Sequence, residues 1–335
     1  MKATQRGAAL LIAMLTVALV ATFAAAALWQ QWRSIEVETA ERARVQSAWI
    51  LTGALDWSRL LLREDARGTP GATPVDHLGE PWAVPLQEAR LSSFLAAEKN
   101  VANNVDASAD VMDAFLSGQI IDLQSQINLT NMIDGLGQPL EEPKSSLARL
   151  FQILSLPRTD YDRLVENLRF AVASAVPNVQ QPSPQAPLPP QKVEQLVWLG
   201  LSTQTVAALQ PYVTILPART KVNVNTASAE VIAAAAGIDM SLAQSIVKQR
   251  EQAYFRSEAE VNKQLGGVPG STPEGQGVGL GVASDFFEVR ARLRLDQLVV
   301  EERSVLWRKG VSVTVYQRER GAVDPTELSQ AAARR

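Results

Sequence analysis

The chain has 335 residues, enough for one or two domains with a real core, and pairs 46% hydrophobic content with a formal net charge of −3. That balance excludes the overall basic signature of a nucleic-acid binder. The absence of cysteine excludes disulfides, thiolate metal sites and cysteine nucleophiles, and a single histidine, His77, excludes any site needing two imidazoles.

A short basic head containing Lys2 and Arg6 meets an uncharged run from Ala8 to Trp29. As a helix, roughly 22 residues at about 1.5 Å each span about 30 Å, the hydrocarbon thickness of a bilayer. The positive-inside rule keeps the head in the cytoplasm and sends the rest across, with Trp29 and Trp32 at the far interface. Three readings compete for this run. A secretory signal would be cut near Ala24–Ala27, a plain anchor would stay intact, and a prepilin leader would be cut before the apolar run, after Gly7. The stretch Gln5-Arg6-Gly7-Ala8-Ala9-Leu10-Leu11 resembles the type IV pilin and pseudopilin leader. That resemblance implies cleavage between Gly7 and Ala8 and methylation of the new amine on Ala8. Pilin-like subunits mostly carry Glu at the fifth mature position, and here that position is Ile12. A carboxylate in lipid needs a partner such as a neighbour's N-terminal ammonium. A subunit without one cannot offer that pair to a subunit above it, which fits the tip of a fibre.

No proline interrupts the chain before Pro70, so the apolar run is expected to continue as one long helix to about Arg67-Gly68. Ile35, Thr39, Ala43, Val45, Trp49, Thr52, Leu55, Leu60 and Leu62 recur every third or fourth residue and predict a buried stripe. Gly53 weakens that helix by about 1 kcal/mol relative to Ala. Residues 68–86 read as a Gly/Pro loop carrying His77, taken as surface, and Leu86–Lys99 as a short helix. Alternation at Ile121, Leu123, Ile127 and Leu129 predicts two strands turning near Gln124-Ser125.

Helical patterns follow over Ser145–Leu156, Tyr161–Ala175, Lys192–Leu201 and Ser202–Gln210, with Ser202 as a cap. A Pro/Gln-rich loop, Pro177–Pro190, divides them. Thr226 or Ser228 caps a helix through Val231–Ala236, and another runs from Ser241 to about Gln252. Gly266–Gly281 lacks the strand, helix and Lys-Ser/Thr end of a phosphate cradle and reads as a flexible loop. Strands return at Phe286–Leu295, Glu302–Trp307 and Val311–Arg318, the first with arginines at alternate positions that predict a wet, basic face. The economical architecture is one sheet on the spine helix, with an all-α module inserted between early and late strands.

Lys221–Ile232 followed by Gly237-Ile238-Asp239 and Leu242–Arg250 resembles a helix-hairpin-helix unit of the competence DNA-receptor type. It raises an alternative function, a membrane-anchored DNA-binding protein. A phosphate-gripping hairpin uses a Gly-x-Gly turn whose N–H groups meet the anion. Here the second glycine is Asp239. Arg219, Lys221, Lys248, Arg250 and Arg256 are matched one for one by Glu230, Asp239, Glu251, Glu258 and Glu260, so no basic patch remains.

The leader, Ile12, the Ile127-Asn-Leu-Thr-Asn strand end, the Val222-Asn-Val-Asn-Thr-Ala-Ser segment and the Phe286-Phe-Glu-Val-Arg-Ala strands occur in an order that resembles the general secretion pathway protein K family. These are the large minor pseudopilins of bacterial type II secretion. The resemblance implies an α+β fold: a pilin-like long N-terminal helix packed on an antiparallel sheet, with an inserted all-α domain of helix-hairpin-helix or SAM-like type. The corresponding division is a leader 1–7, a transmembrane half 8–29, a first pilin-like part 30–140, an inserted domain 141–265, a Gly-rich loop 266–281, final strands 282–320 and a disordered tail 321–335. It also implies a tip complex with minor pseudopilins I and J, contact with other pseudopilus subunits, processing by prepilin peptidase, insertion in the inner membrane and a periplasmic head. No nucleic-acid partner and no enzyme activity are expected. No cofactor is evident; some members of the family hold structural calcium, and no calcium ligand is assigned in this chain.

Overall fold

The computed structural model describes residues 6–68, 74–91, 114–134, 140–175, 186–265, 279–295 and 298–322. Helix α1 runs unbroken from Arg6 to Arg67, 62 residues, or about 93 Å. It ends where the sequence supplies its stop: Gly68 takes a positive φ of 37° and its N–H donates to the Asp65 carbonyl at 3.0 Å.

The sheet has the order β1-β2-β7-β8-β9 and is antiparallel throughout, built from β1 (Leu86–Arg90), β2 (Ala114–Asp122), β7 (Phe286–Leu295), β8 (Leu298–Lys309) and β9 (Ser312–Ala322). One face of it covers only the last third of α1. The buried line on the helix is Ser47, Leu51, Leu55, Ser58 and Leu62, spaced by three or four residues. Leu55 and Leu62 pack with Trp82, Phe287, Val289, Leu306 and Val313, while Leu51 packs with Ala291, Leu293 and Val300. This differs from the stripe expected from periodicity, because Ile35, Val45 and Trp49 are exposed. Apolar residues recur on two faces of α1, and the sheet covers only one of them.

Between β2 and β7 the chain builds a second core. It includes α2 (Glu141–Ile153), α3 (Arg158–Ala175), α4 (Thr203–Leu209), α5 (Ala229–Ala236), α6 (Met240–Gln252) and α7 (Glu258–Gln264). Leu147, Leu150, Leu164, Leu196, Ile232 and Ile246 are wholly buried there, and Ile127, Leu129, Leu280 and Val282 join them from outside the helices. Two short parallel pairs close this core: β3 (Ile127–Asn128) with β4 (Val213–Thr214), and β5 (Val222–Asn223) with β6 (Leu280–Gly281). The caps are local. Ser202, Ser228 and Asp239 accept from the N–H groups of Thr205, Val231 and Leu242. Residues 193–199 wind as a 3-10 helix rather than an α-helix.

Several expectations are corrected. Leu86–Arg90 is an edge strand, not the start of a helix, because pairing with β2 outweighs local propensity; Leu91 is helical, and residues 92–99 of that expected helix lie outside the described residues. The expected hairpin at Gln124-Ser125 does not form. The Asp122 carboxylate takes the Gln124 N–H at 2.7 Å, a 3-10 turn follows, and Ile127–Asn128 leaves the sheet for β4. Leu280–Gly281 is a strand rather than loop, and β9 continues to Ala322. The alternating arginines of β7 do not leave a basic face: Arg290 pairs with Glu288, Arg292 with Glu301 and Arg294 with Glu88.

Candidate functional site

From Ala9 to Arg42 every residue of α1 is exposed. An 18-residue window of this helix has a mean hydropathy of 2.4 with none of it buried, so the helix is long and apolar enough to cross a membrane. Ile12 lies in this bare stretch at 62% exposure. Gly7 and Ala8 belong to the same helix by backbone. In water a contiguous apolar surface of this size would drive association. Lipid or neighbouring helices are the environments that suit it.

Where α1 meets the head, a groove of about 720 Å³ opens beside it, walled by Trp49, Gly53, Trp57, the Pro81–Leu86 segment and β2. Trp49, Gly53 and Trp57 share one helix face at four-residue spacing. A Cβ added to Gly53 would meet no described atom within 4 Å.

Under the sheet, a polar network joins spine, sheet and helical module. Glu302, Ser304, Leu306 and Arg308 alternate inward along β8. Glu302 accepts from Arg318 and Arg320 of β9 at 2.6–2.8 Å. Arg308 reaches Asp65 of α1 at 2.7 Å and both carboxylate oxygens of Asp76 at 2.5 and 2.6 Å, and donates to the Ser284 carbonyl at 2.7 Å. Its guanidinium lies 4.8 Å from the Phe287 ring. Burial works against its charge, but Asp76 and Asp65 more than offset that and leave its pKa raised. Asp122, fully buried, accepts from Thr226, Ser284 and Asn223. Burial pushes its carboxyl up to about 6, against the pull of the Thr226 and Ser284 hydrogen bonds. Burial, aided by the charge of Asp65, lifts Glu80 to about 7. Glu80 accepts from the Trp82 indole and the His77 N–H.

His77 is not plain surface. Its ring stacks on Tyr254 at 3.9 Å and 15°, tying the loop after α1 to the segment after α6, and burial lowers its pKa.

Asp65, Asp76 and Glu80 offer carboxylate oxygens within 4.8 Å of one another, the arrangement among the described residues that comes nearest to a cation site. It does not fit a divalent ion, because the Arg308 guanidinium already takes the oxygens of Asp65 and Asp76. The calcium implied by resemblance therefore has no suitable ligand set in this cluster.

The hairpin region uses several of its polar groups within the fold. Gly237 adopts a φ of 68° as the α5 cap, and Asp239 caps α6 instead of presenting free N–H groups. Arg250 donates to the carbonyls of Val224 and Ala227, Lys221 pairs with Glu258 at 2.7 Å, and Arg219 donates to the Ile133 carbonyl. Cations spent on internal carbonyls and carboxylates cannot form a phosphate-binding patch, and the DNA-binding alternative finds no support.

Residues 222–283, spanning β5 to the loop after β6, match the family model described as type II secretion system (T2SS), protein K. The type II secretion system protein K of Pectobacterium carotovorum subsp. carotovorum is 26% identical over 96% of this chain and 98% of its own length. The chain is similar to type II secretion system protein K over nearly its whole length. The protein K of Pseudomonas aeruginosa is 27% identical over 88% of this chain and 86% of its own. The fold is also that of a chain in the crystal structure of the GspK-GspI-GspJ complex from enterotoxigenic Escherichia coli, with a TM-score of 0.56 and 18% identity over 84% of this chain and 98% of that one.

Against this protein K background, the stretch that matches the family model is the hairpin core, and it is Asn223 and Thr226 of that stretch that grip Asp122. The structure does not bring Ile12 near this junction: Ile12 stands alone on the bare helix. The junction was not found from the sequence. Its signal is the phase of Glu302 and Arg308, which share the inward parity of Leu306.

Proposed function

We propose that the chain is a minor pseudopilin of the type II protein secretion system that caps the tip of the periplasmic pseudopilus. The observation that carries this is a single 62-residue helix, bare and apolar over its first part and packed into a two-core head at its end. Protein K relatives align over nearly the whole of it. Prepilin peptidase cuts between Gly7 and Ala8, Ala8 is methylated, and the apolar half-helix sits in the inner membrane with the head in the periplasm. Minor pseudopilins I and J are its partners, as in the complex named for the structural relative. Ile12 leaves no carboxylate for a subunit above. The helical module between β2 and β7, taken as a domain of its own, widens the head beyond what a helical stack accommodates. The chain acts as a structural subunit and drives export by assembly, not by a reaction of its own.

Mass spectrometry of the mature N-terminus tests this. The expected species begins at N-methylated Ala8. An intact Met1, or a start beyond Ala24–Ala27, would overturn the leader assignment.

A further inference from the structure

We propose that the Arg308 guanidinium is the built-in cation of the junction between sheet and helical module, so that docking at this cluster proceeds without a divalent ion. Three carboxylates converge there from α1, from the loop after it and from the turn before the Trp82 segment. Converging carboxylates repel one another unless a cation stands between them. Arg308 supplies that charge with fixed geometry. Its side chain is only 5% exposed, one Nη takes Asp65, and the other takes both oxygens of Asp76. Its backbone is held as well, since its N–H donates to the Asp285 carbonyl at 2.7 Å.

Asp76 then passes the constraint to the module. Its second carboxylate oxygen accepts from the Ser284 N–H at 2.7 Å. Its carbonyl accepts from the Asn223 amide at 3.1 Å, and its N–H donates to the Val282 carbonyl at 2.9 Å. Asn223 and Val282 both belong to the module's side of the junction. The position a divalent ion would need is therefore held by a planar, permanently charged fork. Burial raises the pKa of Asp65 against the pull of Arg308, and lifts that of Glu80 to about 7.

Hydrogen exchange of the full-length chain in detergent, followed by mass spectrometry on peptides covering residues 74–84 and 282–286, tests this locally. Exchange in EDTA and in excess calcium should coincide for the natural chain. Arg308→Gln should exchange in these peptides roughly tenfold faster or more, because it leaves buried carboxylates unpaired. Arg308→Lys should fall between, since an ammonium cannot bridge Asp65 and Asp76 as a fork does. Loss of protection in EDTA with recovery in calcium would overturn the proposal, as would natural exchange rates in Arg308→Gln. If Arg308→Gln does not fold, the EDTA comparison on the natural chain and the Lys variant still decide.

Discussion

Replacing Gly53 with alanine should stabilise the folded chain. Gly53 sits mid-helix in α1, between Leu51 and Leu55 of the buried line but on the exposed side. A glycine in a helix interior costs about 0.5–1 kcal/mol relative to alanine, because its unfolded backbone has more freedom to lose. That gain is cancelled only if the new methyl clashes or if φ is positive. Neither holds, since a Cβ there meets no described atom within 4 Å and the backbone is helical. The net expectation is about 0.5–1 kcal/mol of added stability. With a urea m-value of about 2–3 kcal/mol/M, the midpoint should rise by about 0.2–0.5 M. The assay is equilibrium urea unfolding of the detergent-solubilised chain, followed by tryptophan fluorescence. The same substitution at Gly237 is the control. There φ is +68° and the Cβ would approach Arg149 at 3.3 Å, so the midpoint should fall. An unchanged or lowered midpoint for Gly53→Ala would mean that the groove beside Trp49 and Trp57 is closed over in the isolated chain, and the open-notch reasoning would be wrong.

The junction should also make stability depend on pH. The folded pKa of Glu80 (about 7, from 4.5) and that of Asp122 (about 6, from 3.8) lie above their ordinary values. The folded state therefore holds more protons in that window, and stability should fall as pH rises from about 4 to about 7, then level off. Glu80→Gln keeps an oxygen for the Trp82 and His77 N–H groups and should flatten the upper part of that slope; an unchanged slope would remove Glu80 from the account. At the other end of the molecule, Ile12→Glu leaves the head untouched, so its unfolding midpoint should not move, while pseudopilus assembly and secretion should be disturbed. Normal fibre length and normal export by Ile12→Glu would sink the argument from the missing carboxylate.

Much of the helical content was legible because its signals are local. The stop at Arg67-Gly68, the Ser202 and Ser228 caps and the uncharged run from Ala8 each depend on residues within a turn or two of one another. The late strands were legible for the same reason, since alternation in Phe286–Leu295 shows which side chains share a face. What periodicity could not supply was the identity of the covered face. Trp49 and Leu51 are both apolar residues of one helix, yet Leu51 is buried and Trp49 is 73% exposed, because β7 and β8 lie on one side only. Ile121 and Ile127 alternate as a hairpin would, yet hydrogen bonds from the Gln124 N–H and the Ser125 hydroxyl to Asp122 hold a 3-10 turn that takes the chain out of the sheet.

By itself, the sequence determined the long spine, its apolar first half, the strand-rich end and the helical interior, since each follows from neighbours along the chain. Only the tertiary structure decided how the charges are used. Arg308 is 232 residues from Asp76 and 243 from Asp65, and Asn223 is 101 from Asp122. Such pairs form because a buried carboxylate must find a donor wherever the packed elements bring one. The spacing of residues along one strand or helix carries no information about that partner.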